Sequence, residues 1–366
     1  MSLSALFRPV PFEALAGWAE DDHLAAFEAF RRSAFHVLTK PYRSGALGVD
    51  FDAFADGYAA ARTVSPANRA EAKAFFERFF TPALIGAEPG LVTGFYEPEV
   101  EASPVRTETF RVPLLSRPAG LIDVGDGNRP AGMDPYLAFA RHTPDGLVEY
   151  FARESIERGV LAGQGLEIAW LADKVDAFFV HVQGAARLAM TDGRLLRVTY
   201  AAKSGQRFTG PGKILAELGE IPLEKVTMQS IRAWFRANPD RVDEILWQNR
   251  SYIFFREATV DDPALGPIAA AKVPLTPGRS IAVDRLLHTF GTPFYIDAPA
   301  LTAFGGAKEF RRLMIAQDTG SAITGPARGD LFAGCGDAAG EIAGVVRNQA
   351  DFYALLPRCL VSGSNR

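Results

Sequence analysis

The side chains with the clearest chemical potential are three aspartates set at strand ends among glycines. Asp318 closes an apolar run that starts at Arg312, and eleven residues carrying Gly320, Gly325 and Gly329 separate it from Asp330, which opens the next apolar run. Asp284 ends Ser280-Ile-Ala-Val-Asp284 in the same way. A glycine-rich return of this length can bring both of its terminal carboxylates to one end of a sheet. Two carboxyl groups in different environments suit glycosidic bond cleavage, because one must stay protonated near neutral pH to donate to the leaving oxygen. A neighbouring negative charge or an apolar floor raises a carboxyl pKa, and Leu331 and Phe332 are placed to supply such a floor. The bland alternative is that these aspartates cap turns, as aspartate often does.

Other chemistries fit poorly. No G-x-S-x-G elbow is present. Thr209-Gly-Pro-Gly-Lys213 lacks both the upstream glycine and the Ser/Thr of a phosphate loop, since Ile214 follows the lysine. Gly334-Cys-Gly-Asp-Ala-Ala339 matches a dinucleotide fingerprint but has too little chain after it to build that sheet, and reads as a glycine turn leading into a short helix. The five histidines (His23, His36, His142, His181, His288) are not at zinc-ligand spacing, so neither a metal nor another cofactor is expected. Cys335 and Cys359 are open to one bridge, but two buried thiols acting as small hydrophobes is the preferred reading. A formal charge of −4 without a basic block argues against nucleic acid and against an anionic membrane surface. No run of roughly 20 apolar residues is present. Met1-Ser2-Leu3-Ser4 has neither a basic nor an apolar leader region, so the chain reads as cytosolic or as lacking a removed leader.

The elements around these residues change in texture along the 366-residue chain. The first 80 residues read as helices. Asp21 or Asp22 caps one carrying Leu24, Phe27, Phe30 and Ala34 on a face. Ser65-Pro66 starts another, whose stripe of Phe75, Phe76, Phe79 and Phe80 is core. Strands are expected over Leu91–Tyr96 and Phe110–Leu115, then a loop over 116–135. Further strands are expected over Ala177–Gln183, with His181 and Gln183 on one side, and over Leu195–Tyr200. Residues 223–236 read as a helix burying Ile231, Trp234 and Phe235, and Asn238-Pro239 caps the next helix, to about Trp247. Short strands follow: Tyr252–Arg256, Ser280–Asp284, Thr292–Ile296, Arg312–Asp318, Asp330–Ala333 and Phe352–Leu356. Their Gly- and Pro-bearing turns suggest a small barrel or sandwich.

The sequence resembles the membrane-bound lytic murein transglycosylase A (MltA) family over roughly residues 88–357. The resemblance rests on Thr93-Gly-Phe-Tyr-Glu-Pro98, Leu166-Glu-Ile-Ala-Trp-Leu171, Phe178-Phe-Val-His-Val-Gln-Gly184, Met228-Gln-Ser-Ile231 and Asn249-Arg-Ser-Tyr252. The three-aspartate segments Pro277–Asp284, Asp318-Thr-Gly320 and Gly329-Asp330 follow in the family's order. It implies a mainly β protein with α: a double-psi β-barrel domain, a smaller inserted β domain, a groove between them, and a helical N-terminal segment. Residues 1–99 and 244–366 would form the barrel domain and residues 100–243 the insert.

The resemblance further implies cleavage of the β-1,4 bond between N-acetylmuramic acid and N-acetylglucosamine of peptidoglycan, leaving a 1,6-anhydro end. Asp330 would be the catalytic acid, supported by Asp318, with Asp284 the third member of the set. Thr93, Gly94, Tyr96, His181, Gln183, Gln229, Ser251, Tyr252 and Gly320 would contact substrate. The partners implied are peptidoglycan glycan strands, together with other cell-wall enzymes, in a periplasmic location open to outer-membrane association. Two stretches depart from the family: Gln183-Gly-Ala-Ala186 stands where Gln-Gly-Ser-Gly is usual, and Gly210-Pro-Gly-Lys213 where Ser-Ile-Gly-Arg is usual. The family's lipid-attachment cysteine has no counterpart in the sequence. A hydrolase on the same barrel, or a polysaccharide-binding module without turnover, remains as an alternative.

Overall fold

The computed structural model describes residues 3–125, 127–259, 261–305 and 308–361. Met1 and Ser2, on which the reading of the leader bears, lie outside them, as does position 126 of the expected loop. The chain forms two compact units, residues 1–96 with 262–366 and residues 97–261.

In the first unit the late strands close a ring. In order they are Arg347–Pro357, Pro293–Ala298, Phe310–Asp318, Ser280–Val283, Arg328–Cys335 and Gly90–Glu97, the last pairing back onto Arg347–Pro357. Closure removes the free edges that would otherwise leave backbone donors and acceptors unpaired. Phe80–Ile85 and Phe7–Pro9 extend the sheet outward from Arg347–Pro357. Three helices, His23–His36, Ala55–Thr63 and Arg69–Phe79, share one core with the strands, and Phe27, Phe30, Phe54, Tyr58, Phe75, Phe76 and Phe80 are buried in it. The aromatic stripe is therefore core, with Phe79 packed at its margin.

Asp22 caps the first helix by accepting from the Ala25 amide. Asp21 does different work. Its carboxylate accepts 2.8 Å bonds from both terminal nitrogens of Arg279 and a 2.7 Å bond from the Leu313 amide. Both partners of this ion pair are buried. The expected start at Ser65-Pro66 is displaced: the third helix begins at Arg69, because Asn68 accepts from the Glu71 amide while Glu71 accepts from the Ala67 amide and the Asn68 side chain. That reciprocal cap satisfies donors that Ser65 leaves unmet.

The second unit is built on a six-stranded sheet ordered Ile253–Ala258, Leu195–Lys203, Ala185–Met190, Glu99–Ser103, Glu167–Leu171, Val112–Leu115. A small three-stranded sheet includes Ile122–Asp123, inside the stretch expected to be loop. Ile253–Ala258 pairs with Leu195–Lys203, so residues 244–261 lie in this unit and not with the barrel as expected from sequence. Residues 174–183 form an α-helix, not the expected strand. Asp173 caps it by accepting from the Asp176 amide, and Gly184, at φ 75°, ends it in the left-handed conformation. The helix Met228–Ala237 is capped by Thr227 and Ser230 and buries Ile231, Trp234 and Phe235 as expected, and Asn238 stands at the N-cap of the next turn, Pro239–Arg241, though its side chain donates back to the Trp234 carbonyl and makes no cap bond. Cys335 and Cys359 do not pair, and Cys359 is exposed, not buried.

Replacing Asp21 by alanine removes the charge that compensates buried Arg279. The expected loss is about 3–5 kcal/mol of stability, as for other broken buried pairs, read by chemical denaturation. Retention of full stability would mean that the pair is not what fastens the N-terminal helices to the Phe310–Asp318 strand.

Candidate active site

The Ser280–Val283 strand runs parallel to Phe310–Asp318 on one side and antiparallel to Arg328–Cys335 on the other. Ala282 is the register partner of both Asp318 and Asp330. Residues directly opposite in a sheet point to the same face. The two carboxylates therefore flank the single methyl of Ala282, with roughly 10 Å between their Cα atoms from twice the usual strand spacing.

This placement depends on an irregularity. Ile281 pairs with Ala316, but Ala282 pairs with Asp318, so the strand carries an extra residue at Gln317. In a regular register Gln317 would oppose Ala282 and Asp318 would turn to the other face. Gln317 is instead buried, accepting from the Ser280 hydroxyl at 2.6 Å and donating to the Ala29 carbonyl and the Ser33 hydroxyl at 2.7 and 3.0 Å. The bulge thus holds Gln317 in the core and turns Asp318 toward Asp330.

Asp330 shares its face of the strand with Arg328 and Phe332. Its Oδ1 accepts a 2.5 Å bond from the Thr93 hydroxyl. Arg328 donates 2.8 Å to that same hydroxyl oxygen and also donates to the Gly329 carbonyl. Phe332 is fully buried, and Phe95 lies against it with ring centroids 5.2 Å apart. Leu331 faces the opposite side, in the core, so the apolar floor is Phe332 with Phe95 and not Leu331.

Burial raises the Asp330 pKa, against the Thr93 hydrogen bond and the Arg328 charge, which lower it. Burial likewise pushes Asp318 up to about 6. Backbone donors at Thr319 and Ala270 oppose the rise, the Asp330 charge adds to it, and Lys272 opposes it. Desolvation is the leading cause at both groups; the neighbouring carboxylate, named from sequence alongside an apolar floor, is a smaller contributor at Asp318.

Asp284 is differently engaged. Its Oδ1 accepts from the Leu286 amide and its Oδ2 from the Gly325 amide, each at 3.0 Å, so it fastens the middle of the glycine-rich return. Gly320 is exposed in that return, two residues beyond Asp318. Thr93 points at Asp330. Gly94 and Tyr96 are packing positions: a Cβ on Gly94 would stand 2.8 Å from Ala343 Cα, and one on Gly340 would stand 2.8 Å from the Tyr96 ring. Both contacts bring the helix Gly336–Ala343 close against the Gly90–Glu97 strand.

The remaining expected contacts belong to the second unit. His181, Ser251 and Tyr252 are buried and gather around Arg153. Arg153 lies 3.1 Å from His181 Nδ1 and donates 2.8 Å to the Ser251 carbonyl, and the His181 and Tyr252 rings meet edge to face at 4.4 Å. Since a guanidinium only donates, Nδ1 is the acceptor and the proton sits on Nε2. Burial, followed by the Arg153 charge, holds His181 well below the usual histidine range. A cavity of about 300 Å³ opens beside His181 and Tyr252. Gln183, two residues further along a helix, is turned about 200° from His181, so the two do not share a face. Gln229 lies half-buried in the first turn of its helix. Arg328 and the Ala270 amide were not singled out from sequence; the one available signal was that Arg328 precedes Asp330 by two in a strand.

These features define a class: a two-unit, sheet-rich protein with a desolvated carboxyl pair at one strand level of a closed sheet. The family profiles "MltA specific insert domain" and "3D domain" match residues 91–256 and 279–356. The crystal structure of a membrane-bound lytic murein transglycosylase from Agrobacterium tumefaciens is 49% identical and covers 97% of this chain and 99% of that one, with a TM-score of 0.93. MltA from Neisseria gonorrhoeae, in its monoclinic form, is 32% identical, covering 96% and 92%, with a TM-score of 0.77. The membrane-bound lytic murein transglycosylase A of Vibrio cholerae is 34% identical over 222 residues, 56% of this chain and 58% of that protein. The chain thus spans about three fifths of the length of the curated relatives it matches. It belongs to the MltA family. No helix among the described residues is long and apolar enough to cross a membrane.

A carboxyl whose pKa is raised on folding favours the folded state fully below its unfolded value, and that contribution is lost as pH rises through the folded value. For Asp318 the window runs from about 4 to about 6. Asp318→Asn is therefore expected to be more stable than the parent above pH 7, by up to about 3 kcal/mol, with the advantage gone below pH 4. Thermal unfolding at pH 4 and pH 8 measures it, and equal differences at the two pH values would contradict the assigned burial.

Proposed function

We propose that this chain is a lytic transglycosylase that cleaves the β-1,4 bond between N-acetylmuramic acid and N-acetylglucosamine in peptidoglycan glycan strands. The observation that carries the reading is the Asp330 carboxyl, desolvated but reachable, beside a second carboxyl at the same strand level. Family membership supports it. Protonated Asp330 gives its proton to the glycosidic oxygen. The bond from that oxygen to C1 of the muramic residue breaks, and its electron pair stays on the oxygen, which leaves as the 4-hydroxyl of N-acetylglucosamine. The muramic C6 oxygen then bonds to C1 and surrenders its proton to Asp330, restoring the acid and leaving a 1,6-anhydro ring. No water is consumed. One carboxyl serves both steps because the nucleophile is part of the substrate.

Asp318, ionised above about pH 6, faces the developing positive charge and stabilises it. Asp284 acts by holding the glycine-rich return, and Gly320 presents exposed backbone to the sugar. The closed six-stranded sheet, which combines parallel with antiparallel neighbours, is read as a double-psi β-barrel, and residues 97–261 as the inserted substrate-binding domain. Glycan strands lie outside the cytoplasmic membrane, so the working location is the periplasm.

Asp330→Asn should lose on the order of 10²–10⁴-fold in turnover, the usual worth of a positioned acid–base group, while remaining folded. Mass spectrometry of products from purified sacculi tests the reaction class. Anhydro-muramic ends are expected. Reducing muramic ends would replace this reading with the hydrolase, and absence of products with retained glycan binding would replace it with a binding module.

A further inference from the structure

We infer that Arg328 and Thr93 form a one-way hydrogen-bond relay that reserves a single oxygen of Asp330, Oδ2, for giving and taking the proton. The inference rests on Asp330 being the acid, and it makes Thr93 a positioning residue in place of the substrate contact expected from sequence. The relay lies within the first unit. Its direction follows from chemistry: a guanidinium has donors and no acceptor, and a threonine hydroxyl has one proton. Arg328 donates into the Thr93 oxygen at 2.8 Å, and the Thr93 proton is directed at Asp330 Oδ1 at 2.5 Å. That length is in the range of bonds to an ionised oxygen. Arg328 is itself held by its second bond, to the Gly329 carbonyl, so the relay is anchored at the strand that carries Asp330.

With Oδ1 occupied as an acceptor, the acid proton resides on Oδ2. The carboxyl therefore does not divide its proton between two oxygens of which only one faces the scissile bond. The relay has a second effect. Burial alone favours the protonated form, which makes a strong hold on the proton and a weak base. A donor to Oδ1 favours the ionised form. The balance keeps one group serviceable in both directions, as a reaction that uses it first as acid and then as base requires.

The test uses the full chain with Thr93→Val, Thr93→Ser, Arg328→Lys and Asp330→Asn. Thr93→Val removes the hydroxyl at nearly constant volume. It is expected to lower kcat on the order of tenfold, to leave KM within about twofold, and to move the alkaline limb of the kcat–pH profile to higher pH, because the ionised form has lost its donor. Thr93→Ser should restore both rate and limb. Arg328→Lys, which keeps the charge but loses the fork, should move the limb in the same direction by less. A carbon-13 titration of the Asp330 carboxyl in Thr93→Val must show the same upward movement without reference to turnover. Native kcat and an unmoved carboxyl titration in Thr93→Val would overturn the relay, as would a raised KM with native kcat, which marks a substrate contact. Should Thr93→Val not fold, Arg328→Lys and Thr93→Ser decide the matter through the same titration. Near-native activity in Asp330→Asn would instead strike at the reading of Asp330, a failure distinct from the first.

Discussion

The site depends on two half-buried, partly desolvated carboxyl groups held at one strand level on either side of Ala282. Desolvation of a carboxylate is expensive, and a second carboxylate nearby makes it more so. The fold tolerates this because the alternative is available: a carboxyl with a raised pKa accepts a proton and becomes neutral. A closed sheet gives the arrangement its rigidity. Each of the strands bearing Asp318, Ala282 and Asp330 has neighbours on both sides, so none can slip by one residue without turning a face of core side chains outward.

Within that frame the extra residue at Gln317 is the decisive local feature. It allows a polar side chain to be buried with its hydrogen bonds to Ser280, Ala29 and Ser33, while the next residue turns to the site. Because Gln317 reaches the first helix and Asp21 holds Arg279 and the Leu313 amide, the helical N-terminal segment and the Asp318 strand are tied at two points. The helices are thus part of what positions the chemistry. Asp284 plays the matching role on the other side, fastening the return that separates the two carboxylates through the Gly325 amide.

Much of this was legible in the residues. Asp318 and Asp330 stand at strand ends with three glycines between them, and the strands of the last third fall where alternating apolar runs predict them. The Phe75, Phe76 and Phe80 stripe and the Ile231, Trp234 and Phe235 face are core in both readings. What escaped notice depends on interactions remote in sequence. Residues 174–183 carry a mixed β-branched and aromatic run, and only the caps at Asp173 and Gly184 decide for helix. A one-residue bulge leaves no trace in periodicity. Thr93 meets Asp330 across a sheet that closes between residues 237 apart, and no local pattern announces such a pairing. Gly94 and Tyr96 belong to a motif noticed for chemistry, and the structure uses both to seat a helix.

The central claim is that folding raises the pKa of both Asp318 and Asp330 above the ordinary aspartate value. A carbon-13 titration of the side-chain carboxyls in the intact protein, with Asp318 and Asp330 assigned by single substitution, measures this directly. The account predicts that Asp318 titrates near 6 and that Asp330 also titrates above the ordinary aspartate value of about 3.9. Both groups titrating at or below about 4 would contradict it.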